Sequence, residues 1–385
     1  MKILLGLLVA VAAQPATVPM LLEGNVPIVE LELPTASGGT RTARFVIDTG
    51  GGSVVIGSKL MVDIGAKTQG EPMAEEGSKM QALASIRILA AGEELDSSGI
   101  PVFASLENER VISRDNAEGM LPGRLLSRYH LILDYPGRTL IFAKPGSVQP
   151  RGTKLKAAIG DKNGFPRIEA TVGDQTYGFL LDSGASFTMI SRVVLENWSK
   201  ANPDWNKTIG AAGLANMMGG KMENEALMLR IADLKLGPFT VRNAAAVSRP
   251  EGTFEKWMSR MMPAPIIGSI AGNILRDFRV EIDYQSGAVY LERAKNPSSP
   301  EISGVGLILS RAKAGLVVTG VSSTAVKSAV QSGDILVAVD GEPMSGKSLS
   351  EAARALSGAK GSKKQLALLR NGESIRVDVV CVLLL

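Results

Sequence analysis

The tripeptide Asp-(Thr/Ser)-Gly occurs twice in this chain, each time directly after a run of apolar residues. The first copy lies in Phe45–Gly50 (Phe-Val-Ile-Asp-Thr-Gly) and the second in Phe179–Gly184 (Phe-Leu-Leu-Asp-Ser-Gly). A single copy would indicate only turn chemistry, because Asp, Ser and Gly all favour turns. Two copies in matching contexts predict that Asp48 and Asp182 meet at a two-fold axis, where a pair of carboxylates can activate a water molecule.

Such a pair has a defined acid–base chemistry. Two carboxylates about 3 Å apart cannot both ionise, so the pair holds one proton and titrates as a unit. The ionised member would take a proton from a bound water, while the protonated member donates to a substrate carbonyl oxygen. Gly50 and Gly184 allow sharp turns beside the pair, and the hydroxyls of Thr49 and Ser183 can form hydrogen bonds across it. The sequence leaves open which aspartate is the base.

Composition excludes several other chemistries. The chain has 385 residues, a net charge of +4, one cysteine (Cys381) and one histidine (His130). It therefore has no internal disulfide and no Cys/His zinc site, and we expect no metal or other cofactor. No Lys/Arg run is typical of a nucleic-acid surface, so no nucleic-acid partner is expected. The length predicts two or three domains.

An internal repeat positions the two motifs. Leu126–Tyr135 aligns without gaps to Leu275–Tyr284, and both stretches read as strands of β-hairpins. One β-rich unit thus occurs twice, at about 21–148 and 149–295. The alignment places His130 opposite Arg279, which predicts a solvent-facing structural position for His130 rather than a catalytic one.

Asp48–Ser53 and Asp182–Ser186 resemble the signatures of aspartic proteases of the pepsin/retropepsin type. The resemblance implies two homologous β-barrel lobes and an endopeptidase activity carried by Asp48 and Asp182. It also implies protein or peptide substrates. Because one chain carries both motifs, we expect a monomer to suffice for catalysis.

The first copy departs from the family pattern in three ways. In that family an apolar-apolar-Gly segment packs beneath each catalytic loop; Ile266–Gly268 supplies it in the second copy. Met120–Gly123 is the expected counterpart in the first, with Pro122 where glycine is usual. Gly51 stands where Ala or Ser is usual, and no tyrosine lies between Asp48 and Met120 to serve as the family's flap tyrosine.

Two segments are candidates for flaps that cover the site. They are Glu75–Ala84 in the first unit and Gly210–Gly220 in the second, the latter rich in Gly and Met. An ordinary flexible loop is an equal alternative for the second segment.

The last part of the chain, 301–385, follows a Pro/Ser-rich linker at Asn296–Pro300 and does not continue the repeat. Its order of elements, with Gly333–Leu336 followed by Asp340-Gly341, is similar to a bacterial PDZ domain. The resemblance implies that a peptide adds as a strand beside Leu307–Leu309, against a helix at 348–357. The peptide's C-terminal carboxylate would be held by Gly304, Val305, Gly306 and Leu307. The alternative is a PDZ-like fold used only for packing.

The first 13 residues read as an export signal. Lys2 is followed by the apolar run Ile3–Val9 and by small residues at Ala10–Ala13. The run is too short to span a bilayer, and no later segment resembles a membrane span. We therefore expect an exported protein, periplasmic in a bacterium or secreted.

Taken together, the sequence predicts a mostly β protein: two homologous pepsin/retropepsin-like β-barrel lobes followed by a small α+β PDZ-like domain. The predicted function is an aspartic endopeptidase whose PDZ-like domain recruits substrate tails or regulates access. The alternative is a catalytically inactive, peptide-binding adaptor, a hypothesis that is based on Gly51 and Pro122.

Overall fold

The computed structural model describes residues 15–75, 78–106, 117–217, 219, 221–297, 302–322, 326 and 328–385. The chain is mostly β, with barrel-like sheets, which confirms the predicted fold class. The predicted signal segment 1–13 lies outside the described residues, as do parts of the first flap candidate (76 and 77) and of the linker (298–300). Below, residues 16–143 are called the first half, 153–293 the second half and 302–385 the C-terminal module.

The first half is built from short strands and two short helices. Its strands are β1 (Ala16–Glu23), β2 (Val26–Pro34), β3 (Thr40–Asp48), β4 (Val54–Gly57), β5 (Met73–Glu75), β6 (Ser78–Leu83), β7 (Leu89–Ala90), β8 (Glu93–Glu94), β9 (Val102–Ser105), β10 (Gly119–Pro122), β11 (His130–Asp134) and β12 (Thr139–Ala143). Its helices are α1 (Ser58–Ile64) and α2 (Gly123–Leu126).

The second half repeats this order, with its longest strands at β19 and β20. Its strands are β13 (Thr153–Lys156), β14 (Ala158–Ile159), β15 (Pro166–Val172), β16 (Gln175–Asp182), β17 (Thr188–Ser191), β18 (Lys207–Ile209), β19 (Leu227–Leu236), β20 (Phe239–Arg249), β21 (Gly268–Ala271), β22 (Phe278–Asp283) and β23 (Ala288–Arg293). Its helices are α3 (Arg192–Ala201) and α4 (Gly272–Leu275), with 3₁₀ turns at Gly213–Ala215, Lys221–Asn224 and Met258–Met261 and a π-helical turn at Thr253–Trp257.

A closed barrel surrounds the core of the second half. The strands pair in the order β15-β16-β21-β17-β20-β19, and β19 pairs again with β15. In β16 the three residues before Asp182 are Phe179, Leu180 and Leu181, none more than 1% exposed. Consecutive burial, rather than alternation, is typical of a strand covered on both faces. The apolar run before Asp48 in β3 is buried in the same way.

One sheet joins the two halves. β11 of the first half pairs antiparallel with β22 of the second, so the sheet runs without a break from β13 to β5. The pairing is centred on Ile132 opposite Glu281. The halves therefore share backbone hydrogen bonds as well as side-chain contacts.

His130 lies in this joint, and the expectation that it faces solvent is wrong. Its side chain is 2% exposed, and a hydrogen bond of 2.9 Å joins His130 Nε2 and Glu281 Oε2. The same carboxylate accepts a hydrogen bond from the backbone N–H of Arg151 and contacts the Arg279 guanidinium. The prediction failed at its premise, because the equivalent Arg279 does not face solvent either: its side chain is 11% exposed and contacts Asp134 and Glu281.

The C-terminal module has its own core. Its strands are β24 (Ser303–Gly304), β25 (Leu307–Ala312), β26 (Gly315–Val321), β27 (Ile335–Val339), β28 (Glu342–Pro343), β29 (Lys363–Arg370), β30 (Glu373–Val380) and β31 (Val382–Leu383), and its helix is α5 (Leu349–Ala355). Ser348 and Glu351 form a capping box at the start of α5. Asp334 is buried and bound by both Arg370 Nε and Nη2 at 2.7 Å, which fixes the turn before β27. This ion pair lowers the pKa of Asp334.

In the described part of the chain, no helix is long and apolar enough to cross a membrane.

We predict that His130 stays neutral in the folded protein at mildly acidic pH. Burial lowers its pKa below the ordinary 6.5; Asp283 opposes this shift and Arg279 adds to it. The folded pKa is thus below the unfolded one, so the unfolded state binds the proton first. The free energy of unfolding should then fall as pH drops from about 6.5 towards the folded pKa.

Because His130 is the only histidine, its imidazole NMR signal needs no assignment by mutation. The signal should titrate at lower pH in the folded protein than in urea, and His130→Gln should abolish it and flatten the pH dependence of stability between pH 7 and 5. A folded pKa at or above the unfolded value would contradict the prediction.

Candidate active site

The two Asp-(Thr/Ser)-Gly motifs stand at equivalent places. Asp48 is the last residue of β3 and Asp182 the last of β16. Each strand pairs in parallel with a short strand that follows later in its own half, β3 with β10 and β16 with β21. The loops that leave these strands meet between the halves.

Thr49 and Ser183 lock the two loops together through four reciprocal hydrogen bonds. The Thr49 hydroxyl donates to Leu181 O at 2.6 Å and accepts from the Ser183 N–H at 3.0 Å. The Ser183 hydroxyl donates to Ile47 O at 2.6 Å and accepts from the Thr49 N–H at 3.1 Å. Both side chains are 0% exposed. Each hydroxyl both donates and accepts a hydrogen bond, and its partners are backbone groups of the other motif. The buried polar atoms of the junction are therefore satisfied.

The junction brings the two carboxylates to the same place. A Cβ placed on Gly184 would lie 2.3 Å from the carboxyl carbon of Asp48, and a Cβ on Gly50 would lie 3.3 Å from that of Asp182. Each carboxylate therefore rests against the glycine of the opposite motif. Only glycine leaves room for this approach.

Backbone amides help to orient both carboxylates. Gly50 N–H donates to Asp48 Oδ1 at 2.9 Å, and Ala185 N–H donates to Asp182 Oδ1 at 3.1 Å. Asp182 is 9% exposed and Asp48 is more accessible. Gly51 accounts for part of this difference, because a Cβ there would lie 2.9 Å from Asp48 Oδ2. The residue that departs from the family pattern thus gives space to the first carboxylate.

The expected counterpart of Ile266–Gly268 was placed three residues too late. Gly268 pairs with Phe179 in the second half, and Gly119 pairs with Phe45 in the first. A Cβ on Gly119 would lie 2.3 Å from the Phe45 ring, so Gly119 is the glycine beneath the first loop. Sequence reasoning missed it because Ala-Glu precedes it instead of two large apolar residues.

Pro122 is therefore not a replacement for a glycine. It pairs with Asp48 as Ala271 pairs with Asp182. The glycines that follow are also equivalent: a Cβ on Gly123 would lie 2.5 Å from Thr49 O, and one on Gly272 would lie 2.1 Å from Asn25 O.

Tyr135 lies close enough to the second carboxylate to sense its charge. Burial raises the pKa of its phenol, and the charge of Asp182 raises it further. The phenol is 1% exposed and stays neutral at physiological pH. Sequence reasoning did not single it out, because it precedes Asp182 by many residues and belongs to the other half.

The flap candidates adopt different structures. In the first half, β5 and β6 form a hairpin; β5 lies at the edge of the sheet, and the inner strand β6 pairs with β9. In the second half, β18 and β19 are the topological equivalents of β5 and β6, since β19 pairs with β20. The connection between them is long and contains the 3₁₀ turn Gly213–Ala215. It packs against α5 of the C-terminal module.

The predicted carboxylate-binding loop of the module lies at the end of a cavity of about 260 Å³. Gly304, Val305, Gly306 and Leu307 all line this cavity. The Val305 N–H already donates to Leu356 O at 2.9 Å, and Gly304 pairs with Val382 in β31. Gly306 has a φ of +80°, which favours glycine.

No cluster of three or more His, Cys, Asp or Glu side chains suited to a metal ion occurs within the described ranges.

We predict that Gly123→Ala destabilises the protein by about 1–3 kcal/mol, the usual cost of overpacking. The new methyl group would meet backbone oxygens, Thr49 O at 2.5 Å and Asn163 O at 3.2 Å, which cannot move without disturbing the junction. Gly52→Ala is the matched control, because nothing lies within 4 Å of a Cβ there. Urea unfolding should separate the two variants; equal midpoints would contradict the packing described.

The second half of this chain is similar to a known sequence family. Residues 168–269 match a sequence family described as aspartyl protease, and this supports a protease. No curated protein matches the chain. Among solved structures, one similar chain is a photosystem II D1 C-terminal processing protease, with 23% identity and a TM-score of 0.21. The match covers 22% of this chain and 24% of that protein, too little to carry an argument. The family match spans β15 to the start of β21, and includes Asp182.

Proposed function

We propose that this protein is an aspartic endopeptidase in which Asp48 and Asp182 act as one catalytic pair. The observation that carries the proposal is the placement of each carboxylate against the glycine of the opposite motif, at a junction locked by Thr49 and Ser183. The pair would hold one proton, activate a water and polarise the scissile carbonyl, with no covalent intermediate. Peptides or proteins are the substrate class.

The two halves would be the two lobes of the enzyme, at about 21–148 and 149–295, with a PDZ-like domain at 301–385. The packing of the halves supports this division, because both halves contribute to one junction and to one sheet. Since a single chain contains both motifs, the monomer would be competent for catalysis. Export to a periplasm or to the medium rests on the N-terminal sequence alone.

One of the two observations behind the alternative, an inactive peptide-binding adaptor, no longer supports it. Pro122 is equivalent to Ala271 and takes no glycine's place. Gly51 remains a departure, but it gives the Asp48 carboxylate space rather than removing a contact.

We predict that Asp182→Asn lowers kcat/KM for peptide cleavage by at least about 10²-fold, the lower end of what a positioned acid or base contributes. Asp48→Asn should do the same, and the double variant should lose little more, because the two carboxylates act as one unit. Cleavage of a mixed peptide library, followed by mass spectrometry from acid to neutral pH, gives the measurement.

Asp204→Asn is the matched control. Asp204 is an exposed aspartate in the second half, so this variant should cleave peptides as fast as wild type. Folding of each variant is checked by circular dichroism. If folded wild type cuts nothing at any pH, the adaptor is favoured. If Asp182→Asn cuts as well as wild type, the assignment of the pair is wrong.

A further inference from the structure

A segment of the second half occupies the groove of the C-terminal module. We call residues 213–217 and Gly219 the docked segment. The Asn216 amide donates through Nδ2 to Leu309 O of β25 at 2.8 Å, and Asn216 is 8% exposed. A Cβ on Gly219 would lie 3.4 Å from Ser310 Cα and 3.5 Å from Leu349 Cδ1. Gly219 therefore sits between β25 and α5.

This is the place where a peptide would have to bind. Within the described sheet β25 pairs on one side only, with β26, so its other edge is available for strand addition. The cavity beside it is lined by apolar side chains of the module and of the second half. They are Leu307, Leu309, Leu349 and Leu356 on one side, and Phe187 and Leu214 on the other. A peptide added to β25 would compete with Asn216 for Leu309 O.

The docked segment also belongs to the neighbourhood of the proposed catalytic pair. Ala211 and Ala215 pack in one buried cluster with Phe187, which follows Asp182 on the chain. Leu214 and Ser186 both lie 3.3 Å from the position of a Cβ on Gly24. The segment thus touches the loop that leaves Asp182 on one side and the groove of the module on the other.

The base of the segment is fixed, whereas its tip is held by the module. The buried ion pair Arg249–Glu223, at 3.0 Å, lies at the base, where Ala211 N–H donates to Glu223 O at 2.7 Å. The contacts of Asn216 and Gly219 at the tip are to β25 and α5. A connection anchored at its base can adopt a second position when the contacts that seat its tip are lost.

The connection between β18 and β19 is the topological equivalent of the connection between β5 and β6 in the first half. Under the proposed protease function, the two-fold arrangement of the halves makes these two connections the equivalent flap candidates.

From these contacts we propose that the docked segment is the second-half flap of the active site, and that its seat in the groove holds it off the catalytic pair. The C-terminal module is then a restraint on catalysis, relieved when an extended apolar polypeptide takes the groove. This inference rests on the proposed protease function and adds its regulation.

The test compares variants in which the docked segment is held in the groove by a disulfide with variants in which its contact to β25 is removed. In Gly219→Cys/Ser310→Cys the two Cβ atoms should lie near the 3.5–4.5 Å typical of a disulfide. The oxidised protein should cleave a mixed peptide library at least about 10-fold more slowly than the same protein after reduction. Each single-cysteine variant, with and without reductant, controls for strain at Gly219, whose φ is +69°. Cys381 is buried and present in every sample.

Asn216→Ala should release the segment and raise the cleavage rate, by about 2- to 12-fold if one net hydrogen bond is lost. Asn206→Ala is the matched control, an exposed asparagine just before β18. Amide hydrogen exchange of residues 211–217 should quicken in Asn216→Ala but not in Asn206→Ala. This readout does not depend on activity.

The outcomes separate the two proposals. The proposed regulation is wrong if the disulfide leaves the cleavage rate unchanged, or if Asn216→Ala cuts more slowly than wild type. Neither result contradicts the proposed protease function. If no form cuts, the protease proposal fails and the restraint fails with it. Hydrogen exchange then still decides whether Asn216 holds the segment in the groove.

Discussion

Four hydrogen bonds between Thr49 and Ser183 and the facing strands are the constraint on which the rest of the structure depends. Both side chains are fully buried, so an unmade bond would leave a polar group without water, which is costly. The partners of all four bonds belong to the other half. The two halves must therefore meet in one register, and this register carries Asp48 and Asp182 to the same place.

The glycines of the site follow from that close approach. Gly119 and Gly268 lie under the two loops, and Gly123 and Gly272 lie under the strand ends, each with a neighbour less than 3 Å from where a Cβ would stand. A larger residue would push the loops apart and break the reciprocal bonds. Gly51 belongs to the same set, although its neighbour is the Asp48 carboxylate rather than backbone.

Much of this arrangement could be predicted from the sequence, because its signals lie in short segments and most of them occur in both halves. The duplicated motif, the matching hairpins and the capping box of α5 depend on residues close together in the chain. Gly119 was missed because the two large apolar residues that usually precede this glycine are absent, and the pairing of β10 with β3 identifies it. The surroundings of His130 and the docking of Asn216 on Leu309 were missed for another reason. Both join residues distant in sequence, and a single asparagine or histidine carries no local signal of its partner.

The pairing of β11 with β22 has a consequence for assembly. In the repeat alignment Ile132 is equivalent to Glu281, and these two residues pair with each other at the centre of the ladder. Such a ladder has the isologous geometry of a symmetric homodimer. Two second halves from different molecules would place two Glu281 side chains opposite each other, with Arg279 at the position that His130 occupies here. Within one chain Glu281 instead meets the buried His130 of the first half. The unlike residues at the axis thus give Glu281 a hydrogen-bond partner that a second copy of its own half would not offer.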